Sequence, residues 1–346
     1  MRTMDGTGTC RTIWWDGDAV AVLDQTCLPD EVVIVLWRTV QDAARGIETM
    51  QVRGAPLIGV AASHGIALAL GADPTDEGLD AALSRLAATR PTAVNLRWAL
   101  NRCATHLGPL APAERGVAAR CLATRLADED AAVGRALAEA GLPLLAPRTP
   151  DQPVHVMTHC NAGRLAAVAW GTALAPIYLA HDQGRPVHVW VSETRPRNQG
   201  AALTAWELAE AGVPHTVIAD NGAGHALSTG LVDVCLVGAD RVAANGDVVN
   251  KVGTYLKALA ARDSGVPFYV VAPVSTVDHD TPDGAAVPIE ERDVGELIAL
   301  AGRRLTPAGT AARNWAFDVT PARLISGIVT ERGIVSADPA GISRLR

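Results

Sequence analysis

The residues best suited to chemistry in this chain are one thiol and one carboxylate, with cationic and amide groups spaced around them. Cys160 lies in residues 154–163, Val-His-Val-Met-Thr-His-Cys-Asn-Ala-Gly. Apolar, β-favouring residues run up to Thr158, polar and small ones follow, and residues 165–180 read as a helix, so Cys160 falls on a strand-to-helix turn. A thiolate near a helix N-terminus is stabilised by the dipole and by free backbone N–H groups, which lowers its pKa from about 8.5. The alternative at this position is a buried structural cysteine. Asp240 follows the apolar run 234–237 almost directly, which predicts a place at the rim of a sheet. Burial there would raise its pKa and suit it to general acid or base work. An aspartate after a strand is also often only an N-cap or turn residue.

Three further stretches carry groups that hold anions. Arg53 and Gly54 stand immediately before a predicted helix, where a guanidinium and free N–H groups can act together. Asn250-Lys251, ahead of Gly253 and another helix, repeats the arrangement with lysine as a point charge. Arg97, among Val94, Leu96, Trp98 and Leu100, has neighbours apolar enough to bury it, and a buried arginine needs an anionic partner. Solvated side chains are the simpler reading of each. A metal site from His155, His159 and Cys160 fails because alternate strand residues point to opposite faces. Residues 222–224, Gly-Ala-Gly, lack the third glycine and the acidic residue of a dinucleotide fingerprint. A thiol hydrolase built on Cys160 would leave the arginine, lysine and amide groups unexplained.

The elements that must position these residues change character along the chain. Residues 12–23 read as a hairpin around Asp16-Gly17-Asp18. Helices are predicted at 39–50, 60–70, 79–88, 93–106 and 112–140, the last broken or bent. Residues 142–151, with Pro143, Pro147 and Pro150, read as a linker. Beyond it strands at 154–158, 187–192, 215–218, 234–237 and 268–272 alternate with helices at 165–180, 201–211 and 255–261. Such alternation implies a parallel sheet with right-handed crossovers. The fold class is therefore α/β: a Rossmann-like domain over residues 146–346, preceded by a smaller, mainly helical domain over 1–145 with a short β-hairpin region. Ligands of such sheets bind beyond the carboxyl ends of the strands, where Cys160, residues 193–200, 220–224, Asp240 and 250–254 all fall.

Composition narrows the function classes. A formal charge of −7 over 346 residues argues against a nucleic-acid or anionic-membrane surface and leaves room for a local pocket that binds a small anion. The six cysteines, at 10, 27, 103, 121, 160 and 235, are scattered without a C-x-x-C, as expected of reduced cytoplasmic thiols. Residues 1–12 have no positive stretch followed by an apolar one, so no signal peptide is expected. No apolar run is expected to reach the roughly 18 charge-free residues of a transmembrane helix.

Taken together, several stretches resemble the methylthioribose-1-phosphate isomerase family, part of a wider group with the regulatory alpha, beta and delta subunits of eukaryotic translation initiation factor 2B. The matching stretches are 23–25 (LDQ), 50–59 (MQVRGAPLIG), 158–163 (THCNAG), 193–200 (ETRPRNQG), 203–208 (LTAWEL), 238–255 (GADRVAANGDVVNKVGTY), 267–276 (PFYVVAPVST), 287–292 (VPIEER) and 316–321 (AFDVTP). The resemblance implies an aldose-ketose isomerase acting on a 5-substituted ribose 1-phosphate in methionine salvage. It implies Cys160 and Asp240 as catalytic residues and Arg53, Gly54, Ala55, Arg97, Gln199, Asn250 and Lys251 as substrate-binding ones. It also implies a homodimer with no metal or organic cofactor. The C1 phosphate locks the sugar ring, so an enzyme must protonate the ring oxygen and move hydrogen from C2 to C1. Asp240 is read as the acid and Cys160 as the proton shuttle, with a hydride shift as the rival route.

The chain departs from the family pattern at Ala202, where an arginine is usual, at Arg164, where a small residue is usual, and at Trp315, where a proline is usual. Placed near the crevice, these would favour another substrate, 5-deoxyribose 1-phosphate or ribose 1,5-bisphosphate. A non-catalytic protein like the initiation-factor subunits is the alternative from another class. Against it, Cys160 and Asp240 each stand in a full isomerase-type motif.

Overall fold

The computed structural model describes residues 11–147, 149, 152–300 and 302–346. Residues 1–10, with Cys10, and linker residues Arg148, Pro150 and Asp151 lie outside the described residues.

The expected hairpin forms from β1 (Ile13–Asp16) and β2 (Ala19–Asp24), and β3 (Val33–Trp37) extends it to a three-stranded antiparallel sheet. Five helices follow: α1 (Val40–Glu48), α2 (Ala55–Ala72), α3 (Asp76–Ala87), α4 (Val94–Leu107) and α5 (Pro112–Gly141). α5 is continuous over 30 residues rather than broken. α2 starts five residues earlier than expected, with Pro56 in its first turn, where the missing N–H costs nothing. The expected absence of an 18-residue apolar run needs correcting here. α2 carries 18 residues without Asp, Glu, Lys or Arg, long and apolar enough by length and composition to cross a membrane. It is instead the centre of the helical core, burying Leu57, Val60, Ile66 and Leu70 against the surrounding helices. Each such side chain contributes roughly 1.5–3 kcal/mol on burial.

The second part holds β4 (Val154–Thr158), α6 (Ala175–Asp182), β5 (Val187–Ser192), α7 (Ala205–Glu210), β6 (His215–Ile218), α8 (Gly222–Ser228) and β7 (Val234–Val237). It continues through β8 (Arg241–Ala243), β9 (Val248–Lys251), α9 (Thr254–Asp263), β10 (Phe268–Val271) and β11 (Val277–Asp278). The last strands are β12 (Ala299–Leu300), β13 (Arg303–Arg304), β14 (Phe317–Thr320), β15 (Gly327–Thr330) and β16 (Gly333–Val335).

Seven of these strands form the main sheet in the order β16-β15-β10-β7-β4-β5-β6, parallel throughout except for β16. The chain enters at β4, winds outward through β5 and β6, then returns past β4 to β7, β10 and β15. The order therefore reverses between β4 and β7, the point where a crevice opens beyond the strand ends of a doubly wound sheet. A smaller sheet, β11-β8-β9-β14, is built directly onto the end of β7.

Candidate active site

The two reactive side chains come from the two strands that flank this reversal. Cys160 follows β4 in a left-handed backbone conformation, φ 62°. It does not sit at the terminus of α6, because a short turn at Arg164–Ala166 and an irregular buried run stand between them. The expected lowering of its pKa by a helix terminus is thus corrected. Burial pushes the thiol up, against the opposing cations Lys251 and Arg53. The sulfur lies 3.6 Å from Gln199 Oε1.

Asp240 stands between β7 and β8, its N–H donating to the Val249 carbonyl of β9 at 2.9 Å. Burial raises its pKa, as expected, while Lys251, Arg90 and Arg53 oppose the rise and Glu290 adds to it. Both residues face one cavity, also lined by Arg53, Gly54, Ala55, Gln199, Asn250 and Lys251. The structure thus brings together every expected site residue except Arg97.

Each holding group is fixed from behind. Arg53 is buried, and its guanidinium donates to the Asn161 carbonyl at 3.1 Å, to Asn161 Oδ1 and to Gln25 Oε1 at 3.3 Å. Lys251 ends β9, buried, with Nζ 4.9 Å from the centre of the Phe317 ring on β14. Burial lowers its pKa, and the nearby Cys160 and Asp240 hold it up. The N-terminus of α2 opens on the cavity with no side-chain cap and no acidic residue in its first turn. Its aligned N–H groups are a ready anion site. Gly54 is required there: at φ 99° an added Cβ would lie 2.5 Å from the Ala166 backbone. The expected second terminus is different. Asp318 already accepts from the Gly253 N–H at 2.6 Å and the Tyr255 N–H at 3.2 Å, so the start of α9 holds its own carboxylate.

Arg97 is corrected. It lies on the exposed face of α4, beside a separate depression, because Asn95, Leu96, Ala99 and Leu100 take the buried face. Arg90, just before α4, lines the cavity in its place, together with Arg292, His159 and Phe317. The helical period of the apolar residues around Arg97 was a signal against it. No sequence pattern marked Arg90, whose role follows from its 3.4 Å pairing with Glu290 across the fold. His159 is neutral: burial drives its pKa to about 3, and its Nε2–H donates to the Val252 carbonyl at 2.8 Å. Among the described residues no three of His, Cys, Asp and Glu are grouped to hold a metal.

The three departures all lie outside the cavity lining. The Arg164 guanidinium stacks on Tyr178 at 4.2 Å, Ala202 joins a small cluster with Leu23, Leu28 and Leu203, and Trp315 is exposed with Arg313 against its ring.

Comparison with known proteins decides the relationship. Residues 51–337 match the model of the Initiation factor 2 subunit family. The chain is 56% identical over 340 residues to a protein of Methylobacterium nodulans named methylthioribose-1-phosphate isomerase, covering 95% of this chain and 93% of that one. The chain belongs to the methylthioribose-1-phosphate isomerase family. A relative of that name from Rhodospirillum rubrum is 52% identical over 360 residues, covering 98% of this chain and 92% of its own length. Among solved structures, 5-methylthioribose 1-phosphate isomerase from Pyrococcus horikoshii superposes with a TM-score of 0.87 at 38% identity, over 97% of this chain and 95% of that one. A structure described as translation initiation factor eIF-2B, subunit delta, from A. fulgidus gives 0.84 at 39% identity, over 97% and 99%. The resemblance carried by the motif stretches extends over nearly the whole chain, and the α/β fold is the family's fold.

Proposed function

We propose that this protein isomerises 5-methylthioribose 1-phosphate to 5-methylthioribulose 1-phosphate, the methionine-salvage step, with Cys160 and Asp240 as its acid/base pair. The observation that carries the reading is their convergence. A thiol and a carboxyl, both pushed up by burial, face one cavity with Arg53, Arg90, Lys251, Arg292 and the open end of α2. Phosphate oxygens suit the N–H groups of that helix end and the cations, while Gln199 and Asn250 suit sugar hydroxyls.

The proton movements close without any further reactant. Asp240 gives its proton to the ring oxygen as the C1–O bond breaks. The vacated carboxylate takes the thiol proton, and the Cys160 thiolate removes hydrogen from C2 to leave a phosphoenol. Cys160 returns that hydrogen to C1, the C2 hydroxyl loses its proton to Cys160 as the ketone forms, and Asp240 has kept the first thiol proton. Lys251 and Arg53 oppose burial at Cys160, which brings its deprotonation within reach during the step. With Ala202, Arg164 and Trp315 away from the cavity, nothing in its lining replaces the methylthio sugar by another.

Product assays on the methylthio, 5-deoxy and 5-phospho sugar phosphates test the substrate, and absence of turnover on the methylthio sugar would remove it. Asp240→Asn and Cys160→Ser are each expected to lower kcat by roughly 10²–10⁴. Wild-type kcat in either would end the assignment.

The wider reading has weaker support. The apolar core around α2 is drawn from residues before 145 apart from Val168, and those on the two faces of the main sheet come from residues beyond it apart from Leu137 and Leu145, which favours two domains that meet near there. Family resemblance favours a homodimer, which light scattering on the purified protein reads. The free state of the five described cysteines favours a reducing, cytoplasmic setting.

A further inference from the structure

Cys160 is held in a conformation that its own side chain disfavours, and both of its peptide groups are bonded by buried threonine hydroxyls. Its N–H donates to Thr194 Oγ1 at 2.8 Å, and its carbonyl accepts from Thr204 Oγ1 at 2.7 Å. Thr194 and Thr204 are both fully buried. A non-glycine residue at φ 62° persists only where its surroundings over-determine it. Thr194 is itself fixed in the same region, φ 67°, with its N–H donating to Asp220 Oδ1 at 2.9 Å. Asp220 also accepts from the Arg195 N–H at 2.7 Å and from the Ser192 hydroxyl, and the Lys257 ammonium lies 3.7 Å from it.

The direction of the Thr194 hydroxyl is fixed too. Its proton points to the Ser192 carbonyl at 2.9 Å or to His159 Nδ1 at 3.3 Å. His159 Nδ1 is an acceptor, because the ring donates through Nε2 to Val252. Either way a lone pair of Thr194 is left for the Cys160 N–H. Thr204 works from the other side: it accepts from Asn161 Nδ2 at 3.1 Å and so turns its own proton to the Cys160 carbonyl.

We propose that Thr194 and Thr204 are positioning residues for Cys160: their hydroxyls hold its peptide groups in the left-handed conformation that aims the sulfur into the sugar-phosphate cavity, with Asp220 anchoring Thr194. This inference rests on the reading of Cys160 as the hydrogen carrier. Neither threonine lines the cavity, so neither touches substrate. Without the Thr194 hydroxyl the Cys160 N–H loses its acceptor, and the peptide relaxes toward negative φ, swinging the sulfur away from C2.

The test compares Thr194→Val with Thr194→Ser on 5-methylthioribose 1-phosphate, reading kcat, KM and melting temperature, with Cys160→Ala in parallel. Valine keeps the shape and removes the hydroxyl; serine keeps the hydroxyl. Expected for the valine variant is a kcat about 100-fold lower with KM within about twofold, the scale on which a misplacement of roughly 1 Å acts. The serine variant is expected to recover kcat to within about threefold of wild type, on the same scale. A folded valine variant with wild-type kcat, or a serine variant as slow as the valine one, would overturn the proposal. Should Thr194→Val fail to fold, Thr204→Val against Thr204→Ser makes the same comparison from the carbonyl side, with the same outcomes deciding. If Cys160→Ala keeps turnover, the reading of Cys160 fails first. If it is inactive while both threonine series match wild type, only the positioning inference falls.

Discussion

α2 and α9 both start near the cavity behind a glycine of positive φ, Gly54 at 99° and Gly253 at 101°. Both follow a cationic residue that faces the cavity, Arg53 and Lys251. Their N–H groups meet different fates. Those of α2 have no side-chain cap, and its first turn has no acid. Those of α9 are taken by Asp318, which reaches them from β14. From sequence the two are alike: a cation, a glycine, then a helix. The difference comes from a residue 65 positions further on that reaches the helix only through the pairing of β14 with β9. A helix terminus is an anion site only when the fold leaves it empty, and here one of two is empty.

The largest expected effect of breaking that contrast is at Gly54. An added Cβ would meet the backbone of Ala166 at 2.5 Å, and neither backbone can yield without moving the helix end. Gly54→Ala is expected to lower kcat/KM by more than about 100-fold. At Gly253 the nearest atom to an added Cβ is a His159 ring atom at 3.2 Å, so the cost of Gly253→Ala is mainly left-handed strain. That is about 1–3 kcal/mol of stability, with kcat/KM far less affected. Steady-state kinetics and urea unfolding on both variants check the ordering, and equal losses of kcat/KM would remove the distinction.

The second effect concerns the acid that fills α9. Burial pushes Asp318 up to about 6 from 3.8, outweighing the two N–H bonds and the nearby Lys257 and Lys251. The folded protein therefore binds this proton more tightly than the unfolded chain. The associated stability is fully present below pH 3.8 and is lost as pH rises through about 6. The shift corresponds to about 3 kcal/mol at most. Asp318→Asn cannot titrate, so wild type should lose stability relative to the variant between pH 4 and 7. Parallel unfolding curves across that range would contradict the assignment.

Much of this site could be read before the fold was known. The strands β4, β5, β6, β7 and β10 are compact β-favouring runs, and their ends alone place Cys160 and Asp240 on one edge. What failed was reading small-residue runs as helices. Residues 165–174 are apolar and Ala-rich, yet Trp170 and Gly171 both take positive φ, and a Cβ on Gly171 would lie 2.2 Å from the Gly163 backbone. The helix waits for Pro176 in the first turn of α6, the same mark that Pro56 gives at α2. β8 and β9 escaped notice because Arg241, Asn250 and Lys251 interrupt their apolar pattern. Arg90 and Asp318 depend on contacts between distant segments, which no local window contains.

The contrast between the two helix termini is tested most directly by a crystal structure of the wild-type protein with 5-methylthioribulose 1-phosphate bound. The phosphate is expected on the backbone N–H groups of Gly54 and Ala55, beside Lys251, with Asp318 still bonded to Gly253 and Tyr255. A phosphate seated on Gly253 and Tyr255 with Asp318 displaced would contradict it.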